Sequence, residues 1–192
     1  MQYIKKEIEE TIFAVARREF ALHGFEATTM RRIAQEVGIT APNIYRYVEN
    51  KEQLFEKLVD AAYHRITKLF EMNVDSRMPL EQVERQLIVE LPRLMLQDRV
   101  EWLMLMDGSK GTKYEHVKQA IIQVLSEDMS RNIALFNGKK SIERMNPKLA
   151  RPLSVSFWEG ILDNLRHTEE EEEVVSLTSH LIQMYFYLTL EG

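Results

Sequence analysis

An all-α fold is what this sequence predicts, and three observations carry the prediction. Only 7 Gly and 5 Pro interrupt 192 residues. Apolar residues recur at the i, i+3 and i+4 spacing of amphipathic helices through most of the chain. No segment shows the alternation of a half-buried strand, and no repeat of 20–50 residues is present. Hydrophobic residues make up 45% of the chain, enough to bury a core, and the length suits one or two domains. Uninterrupted apolar runs such as Trp102 to Met106 fall far short of the roughly 20 residues a membrane span needs.

The helices are predicted in order from their spacing and their caps. Residues 3–23 set Ile4, Ile8, Ile12, Ala16 and Phe20 on one face, and Gly24 follows as a C-cap. Thr28 or Thr29 caps a short helix through Val37, and Gly38 suits a left-handed turn. Thr40 caps the next helix, 41–47, with Pro42 in its tolerated first turn. Asn50 opens a long helix to about residue 73, and Gln53 approximates a capping box. Leu54, Phe55, Leu58, Ala62, Ile66 and Leu69 line one side of it. Asp75 to Pro79 is the first strong break.

Five more helices follow in the sequence pattern. They span about 80–97, with a kink or break at Pro92, then 99–107, 113–136, 148–166 and 170–190. Thr168 caps the last, and Glu169 to Glu173 occupy its positive end. The working division is an N-terminal domain over 1–52 and a helical bundle over 53–192.

Charge and composition exclude several functions. The N-terminus carries Glu7, Glu9 and Glu10 and lacks the order of a signal peptide, and the chain has no Cys. Disulfides, thiolate metal sites and a cysteine nucleophile are thereby excluded, and a cytoplasmic location is expected. The net charge of −5 argues against indiscriminate nucleic-acid binding. Its distribution says more: residues 1–51 carry +1 and residues 52–192 carry −6. Residues 28–51 hold four basic and two acidic side chains, a small basic face on an acidic body.

That face is the most informative stretch, TTMRRIAQEVGITAPNIYRYVENK. Two short helical patterns flank a tight turn at Val37-Gly38-Ile39-Thr40, and an aromatic-basic cluster of Tyr45, Arg46, Tyr47 and Lys51 follows. A helix-turn-helix presents one helix to the DNA major groove in this way. Thr29 can aim its hydroxyl and the helix-start amides at a phosphate. Arg31 can reach a guanine edge with two hydrogen bonds, and Asn43 is the expected reader of adenine. Ala41 and Pro42, behind Thr40, could touch thymine methyls. Tyr45 and Tyr47 can hydrogen-bond phosphates, and Lys51 can hold one with the amides of its helix. Arg46 is either a phosphate contact or an ordinary solvated residue, as is Arg32. Ile33, Ala34, Val37 and Ile44 read as core.

Thr28-Thr29, Arg31, Ile33-Ala34, Val37-Gly38-Ile39-Thr40, Ile44-Tyr45, Tyr47 and Asn50-Lys51-Glu52-Gln53-Leu54 together resemble the signature of the TetR family of bacterial transcriptional regulators. The resemblance covers about residues 8–56. It implies a three-helix helix-turn-helix DNA-binding domain, a helical bundle for effector binding and dimerisation, and the DNA contacts just assigned. Val48 stands where Phe is frequent in the family, and Ala41-Pro42 replaces the usual Ser- or Lys-plus-Gly opening, which alters base preference.

The C-terminal part carries no catalytic constellation. His23, His64, His116, His167 and His180 show no close metal-ligand pairing, and no cofactor is implied. Val174, Leu177, Leu181, Met184 and Leu188 step by 3, 4, 3 and 4, an a/d seam on the last helix. Leu153, Phe157, Ile161 and Leu165 step by four on the preceding helix, where Ser156 and Gly160 would allow close approach. Two such helices per subunit can form a four-helix bundle between subunits, although either stripe could face its own core.

Residues 86–106 are unusually apolar and Met-rich, and Met side chains line adaptable cavities. Leu91, Met95, Trp102, Met106, Met129, Phe136 and Phe157 are the candidate walls of an effector pocket, with an ordinary bundle core as the alternative. Glu90, Arg93 and Glu101 could supply polar contacts. The sequence therefore predicts a homodimeric repressor, released from a palindromic operator by a small hydrophobic effector. Two alternatives remain: a DNA-binding activator or DNA-organising protein without an effector, and a small-molecule-binding helical module with an inactive reading head. An enzyme has the least support, and the expected partners are double-stranded DNA, a second copy of the chain and the effector, with no membrane.

Overall fold

The computed structural model describes residues 2–74, 80–139 and 144–190, with side chains over 5–68, 87–138 and 144–185. The described residues form helices and turns without a strand. The helices are α1 (Gln2–Ala27), α2 (Met30–Val37), α3 (Ala41–Ile44), α4 (Lys51–Val74), α5 (Leu80–Gln97), α6 (Arg99–Asp107), α7 (Val117–Lys139), α8 (Ala150–His167) and α9 (Glu171–Leu190), with a 3-10 turn at Pro147–Leu149.

Local chemistry explains the boundaries. Gly24 has φ 72° and ψ 169°, so regular helix in α1 ends there, in backbone that only glycine enters cheaply. Thr29 caps α2 by accepting from the Arg32 amide at 3.2 Å. Gly38 ends α2 in left-handed backbone and donates to Ala34 and Gln35 carbonyls. Asn50 Oδ1 accepts from the Gln53 amide at 2.7 Å, and Gln53 Oε1 reaches back to the Glu49 amide at 3.1 Å. This is a capping box displaced by one residue on its return bond.

Four expectations are corrected. Helix α3 ends at Ile44, and residues 45–47 form a turn instead of continuing to 47. Thr40 stands at the N-cap with extended backbone, yet its side chain makes no capping hydrogen bond. Helix α7 begins at Val117, because Ser109 Oγ binds the Leu105 and Tyr114 carbonyls and Thr112 closes a turn on Ser109. Thr168 is the C-cap of α8, not the N-cap of α9: its amide and hydroxyl both donate back to Asn164. Pro92 lies inside an uninterrupted α5, and the expected break at Asp75 to Pro79 lies outside the described residues.

Packing divides the chain into two compact units. The first comprises Met1–Lys68 and Asp98–His116. Phe20 meets Phe55 edge-on at 5.1 Å and Phe25 meets Phe55 at 5.4 Å, in a core with Ile12, Ile33, Ile44, Leu54 and Trp102. Helix α6 packs on α1 in this unit. Its Glu101 takes a two-pronged ion pair from Arg17, whose pKa rises chiefly through that hydrogen bond, and the Phe25 amide donates to Gly108 at 2.8 Å. Arg65 of α4 grips Asp98, with Nε to Oδ2 at 2.6 Å, and Lys113 pairs with Glu56.

The second unit comprises Leu69–Gln97 and Val117–Gly192. In it α5 packs on α9, α7 on α8, and α8 on α9. Trp158, Ile161, Leu162 and Leu165 of α8 and Val174, Ile182 and Tyr185 of α9 are buried. A division after residue 52 would separate α4 from the head it packs with; packing instead keeps Lys51–Lys68 and Asp98–His116 with the first three helices.

Candidate nucleic-acid interface

The reading head is built from the turn outward. Ile33, Ala34, Ile44 and Val48 are buried, so α2 and the turn after α3 share one apolar core. Val48 fills that core with less volume than an aromatic ring would. The Ile39 amide donates to Ala34 O at 2.9 Å and the Asn43 amide to Thr40 O at 2.9 Å, which fixes the angle between α2 and α3. A rigid turn is what a recognition helix needs, since base contacts tolerate little misplacement.

The predicted contact residues emerge from this frame unevenly. Thr29, Arg31, Thr40, Pro42 and Arg46 are exposed, and Tyr45 is 53% exposed, so its ring is not core. Ala41, Asn43 and Tyr47 are half-buried. Lys51 differs from all of them. Its Nζ donates to the main-chain oxygens of Phe25 at 2.8 Å and Thr28 at 3.0 Å, and it stands 4.1 Å from the centre of the Phe25 ring. The ammonium expected at a phosphate is thus turned inward.

Two features of the head were not foreseen. Arg32, read as either solvated or in contact, places Nε 2.6 Å from Oε2 of Glu19, whose side chain is almost fully buried. His23 Nε2 lies 4.0 Å from the same oxygen. Glu19 sits among Ile12, Ala16 and Phe20 on the buried face of α1, so a carboxylate within an apolar stripe was the available signal. The pairs reaching α6 carried no such signal, because Arg17 and Glu101 are 84 residues apart.

The family model for bacterial regulatory proteins of the tetR family matches residues 12–58. Over those residues the chain is similar to the DNA-binding segment of the TetR family. The matched segment runs from the α1 core through the turn and into α4. An HTH-type transcriptional regulator of Haemophilus influenzae is 28% identical over 87 residues, 45% of this chain and 46% of that protein. The HTH-type transcriptional repressor AcnR of Corynebacterium efficiens is 32% identical over 96 residues, 49% of this chain and 44% of that protein. The matches to these two relatives thus span less than half of their lengths.

Among solved structures, NalD of Pseudomonas aeruginosa, the secondary repressor of the MexAB-OprM multidrug efflux pump, aligns over 94% of each chain at 21% identity and a TM-score of 0.55. A TetR-like regulator from Rhodococcus sp. RHA1 aligns over 93% of this chain and 95% of its own at 16% identity and a TM-score of 0.59. These likenesses establish the fold of the chain along nearly its whole length. The relatives are transcriptional regulators, not enzymes.

The second unit places the remaining predicted residues. Ile161 and Val174, expected in a dimer seam, are buried within their own unit, and so belong to its core. Leu181 methyls lie 3.7–3.8 Å from where a Cβ on Gly160 would stand, so that close approach joins α8 to α9 of one chain. Leu153 and Phe157 pack beside Met129, Ile133, Ala150 and Tyr185, with the Phe157 and Tyr185 rings 4.3 Å apart. Leu177 at 42% and Met184 at 62% exposure point away from that core. The Leu188 side chain lies outside the described residues.

The pocket candidates divide between the units. Trp102 and Met106 are buried in the first, and Leu91, Met95 and Met129 in the second, where Phe136 and Phe157 are half-buried. A surface cleft is lined instead by Lys6, Glu9, Glu10 and Phe13 on α1. Among the described residues no group of His, Asp or Glu is arranged to hold a metal, and no helix is long and apolar enough to cross a membrane.

Proposed function

We infer that the chain is a sequence-specific DNA-binding transcriptional regulator, acting in the cytoplasm as a homodimeric repressor. One observation carries this reading: a hydrogen-bonded turn over the buried Ile33, Ala34, Ile44 and Val48 holds α2 and α3 while Arg31, Pro42, Tyr45 and Arg46 stand in solvent beside Thr29 and Asn43. Arg31 and Asn43 are assigned to base edges, Ala41 and Pro42 to thymine methyls, and Thr29, Thr40, Tyr45, Arg46 and Tyr47 to the backbone. In functional terms residues 1–52 read DNA, and 53–192 dimerise and respond.

The dimer face narrows to the outward residues of α9, Leu177 and Met184, since Ile161 and Val174 are buried and Leu181 packs on Gly160 of its own chain. A second copy covering those residues would set two recognition helices about 34 Å apart and call for a palindromic operator. Release by a small hydrophobic effector is the finer part of the proposal, with Leu91, Met95, Met129, Phe136 and Phe157 as its contacts. Such a ligand acts only if it binds the DNA-free state more tightly than the DNA-bound one. The close packing of Met129 and Phe157 in the core around Tyr185 favours a second reading, a regulator without an effector.

Selection of sites from random duplex DNA at near-physiological salt tests the main reading. Enrichment of a dyad-symmetric motif with fixed half-site spacing is the expected result. Folded, dimeric protein that enriches nothing would refute it and leave an inactive head on a helical binding module.

A further inference from the structure

Lys51 occupies an unusual place. It is the first residue of α4, where the helix presents its positive end and a cation is disfavoured. Its side chain escapes that field by reaching back to the corner between α1 and α2. Two of its three N–H groups are committed to the Phe25 and Thr28 oxygens, and its charge lies over the Phe25 ring.

The corner it reaches is tightly specified. Phe25 is buried against Phe20 and Phe55, and its amide is taken by Gly108. Thr28 is buried and donates its hydroxyl to Gly24 O at 2.8 Å and Glu19 O at 3.2 Å. Thr28 immediately precedes Thr29, the cap of α2. One ammonium therefore joins the start of α4 to the start of the first helix of the reading head.

We propose that Lys51 is a positioning residue for DNA reading, which sets the start of α2 against the start of α4 and does not itself neutralise a phosphate. The proposal rests on the DNA-binding reading above. It separates two quantities that a phosphate contact would change together. Removing a phosphate contact lowers affinity and reduces the slope of log affinity against log salt by about one. Removing a positioning contact lowers operator affinity and leaves that slope alone.

The test compares the full-length wild type with Lys51→Met, which keeps the stem over Phe25 but donates nothing, and Lys51→Arg, which keeps charge and donors. Operator affinity per folded dimer is measured from 50 to 200 mM salt, with amide hydrogen exchange on the free proteins. Lys51→Met should bind its operator about tenfold more weakly at an unchanged salt slope. It should also exchange faster over residues 25–32 but not over α9, and Lys51→Arg should recover most of the affinity. A slope lower by about one would overturn the proposal in favour of a phosphate contact. Unchanged affinity with a lower melting temperature would reduce Lys51 to a stability role, and unchanged exchange over 25–32 would show that it holds nothing in place. Absence of operator binding by the wild type would refute the DNA-binding reading, and the exchange result alone would then decide whether Lys51 fixes the corner.

Discussion

The unit that carries the reading head and the unit beyond it are both made of amphipathic helices, but they are fastened differently. In the first, directional contacts join segments far apart in sequence: Arg17 to Glu101, Arg65 to Asp98, Lys113 to Glu56, and the Phe25 amide to Gly108. In the second, α8 and α9 meet largely through apolar side chains around a buried amide. Asn164 donates to Val174 O at 3.1 Å and to Thr178 Oγ1 at 2.9 Å. Its links between distant segments include neutral hydrogen bonds, from Ser179 Oγ to Ile88 O and from the Tyr185 hydroxyl to Leu125 O, beside the Lys118–Glu159 ion pair. Volume tolerates repacking, whereas a two-pronged ion pair fixes distance and angle. The contrast fits the roles proposed above, a head that keeps its geometry and a bundle that accommodates a partner.

Four experiments can break or sharpen this contrast. The largest effect is expected from Phe20→Ala, which empties the ring cluster of the first unit. A loss of about 3–5 kcal/mol in urea denaturation is predicted, and a loss below 1 would mean that the charge pairs, not the rings, carry the head. Gly24→Ala forces a side chain into φ 72°, ψ 169°, although a Cβ would have 3.5 Å of room at Gly108. A cost of about 1–3 kcal/mol from backbone strain alone should appear, with hydrogen exchange accelerated around residue 25.

Asn164→Leu sharpens the comparison from the other side. It removes the amide that donates to Val174 O and Thr178 Oγ1 at the α8–α9 junction, so about 1–3 kcal/mol should be lost with the head unaffected. Equal stability would show that the junction is held by volume only. The smallest effect belongs to Tyr185, whose hydroxyl donates to Leu125 O at 3.0 Å and whose pKa burial pushes upward. The neutral phenol is the form the fold prefers. Its contribution is therefore complete below the ordinary phenol value near 10 and is lost as pH rises past it. Tyr185→Phe should cost about 0.5–1.5 kcal/mol at pH 7 and flatten the decline of stability above pH 10 in denaturation titrations.

What was legible in the sequence was local. Gly38 announced the turn because only a glycine relaxes there, and the Thr28-Thr29 pair announced a cap without saying which hydroxyl serves; Thr29 does, three residues from the amide it accepts. The end of α3 was not legible, since Tyr45, Arg46 and Tyr47 are as compatible with a helix as with the turn they form. Thr168 stands between two helices, and only the position of Asn164 decides which one it serves. The seam on α9 had the right period but two faces: Val174 joins a buried stripe through Thr178, Ile182 and Tyr185, while Leu177 and Met184 look outward. Lys51 was read from its neighbours in sequence, but its partners lie 23 and 26 residues earlier.

The unit with the reading head is assembled from two separated stretches of chain, Met1–Lys68 and Asp98–His116. Anyone transplanting it onto another protein inherits a rule from that. A graft ending at residue 68 leaves Arg17 and Arg65 without Glu101 and Asp98 and uncovers the Gly24 corner, and one ending at 52 lacks most of α4 as well. A chimera that is to read the same DNA has to carry the second stretch as well, spliced in at its own two joints.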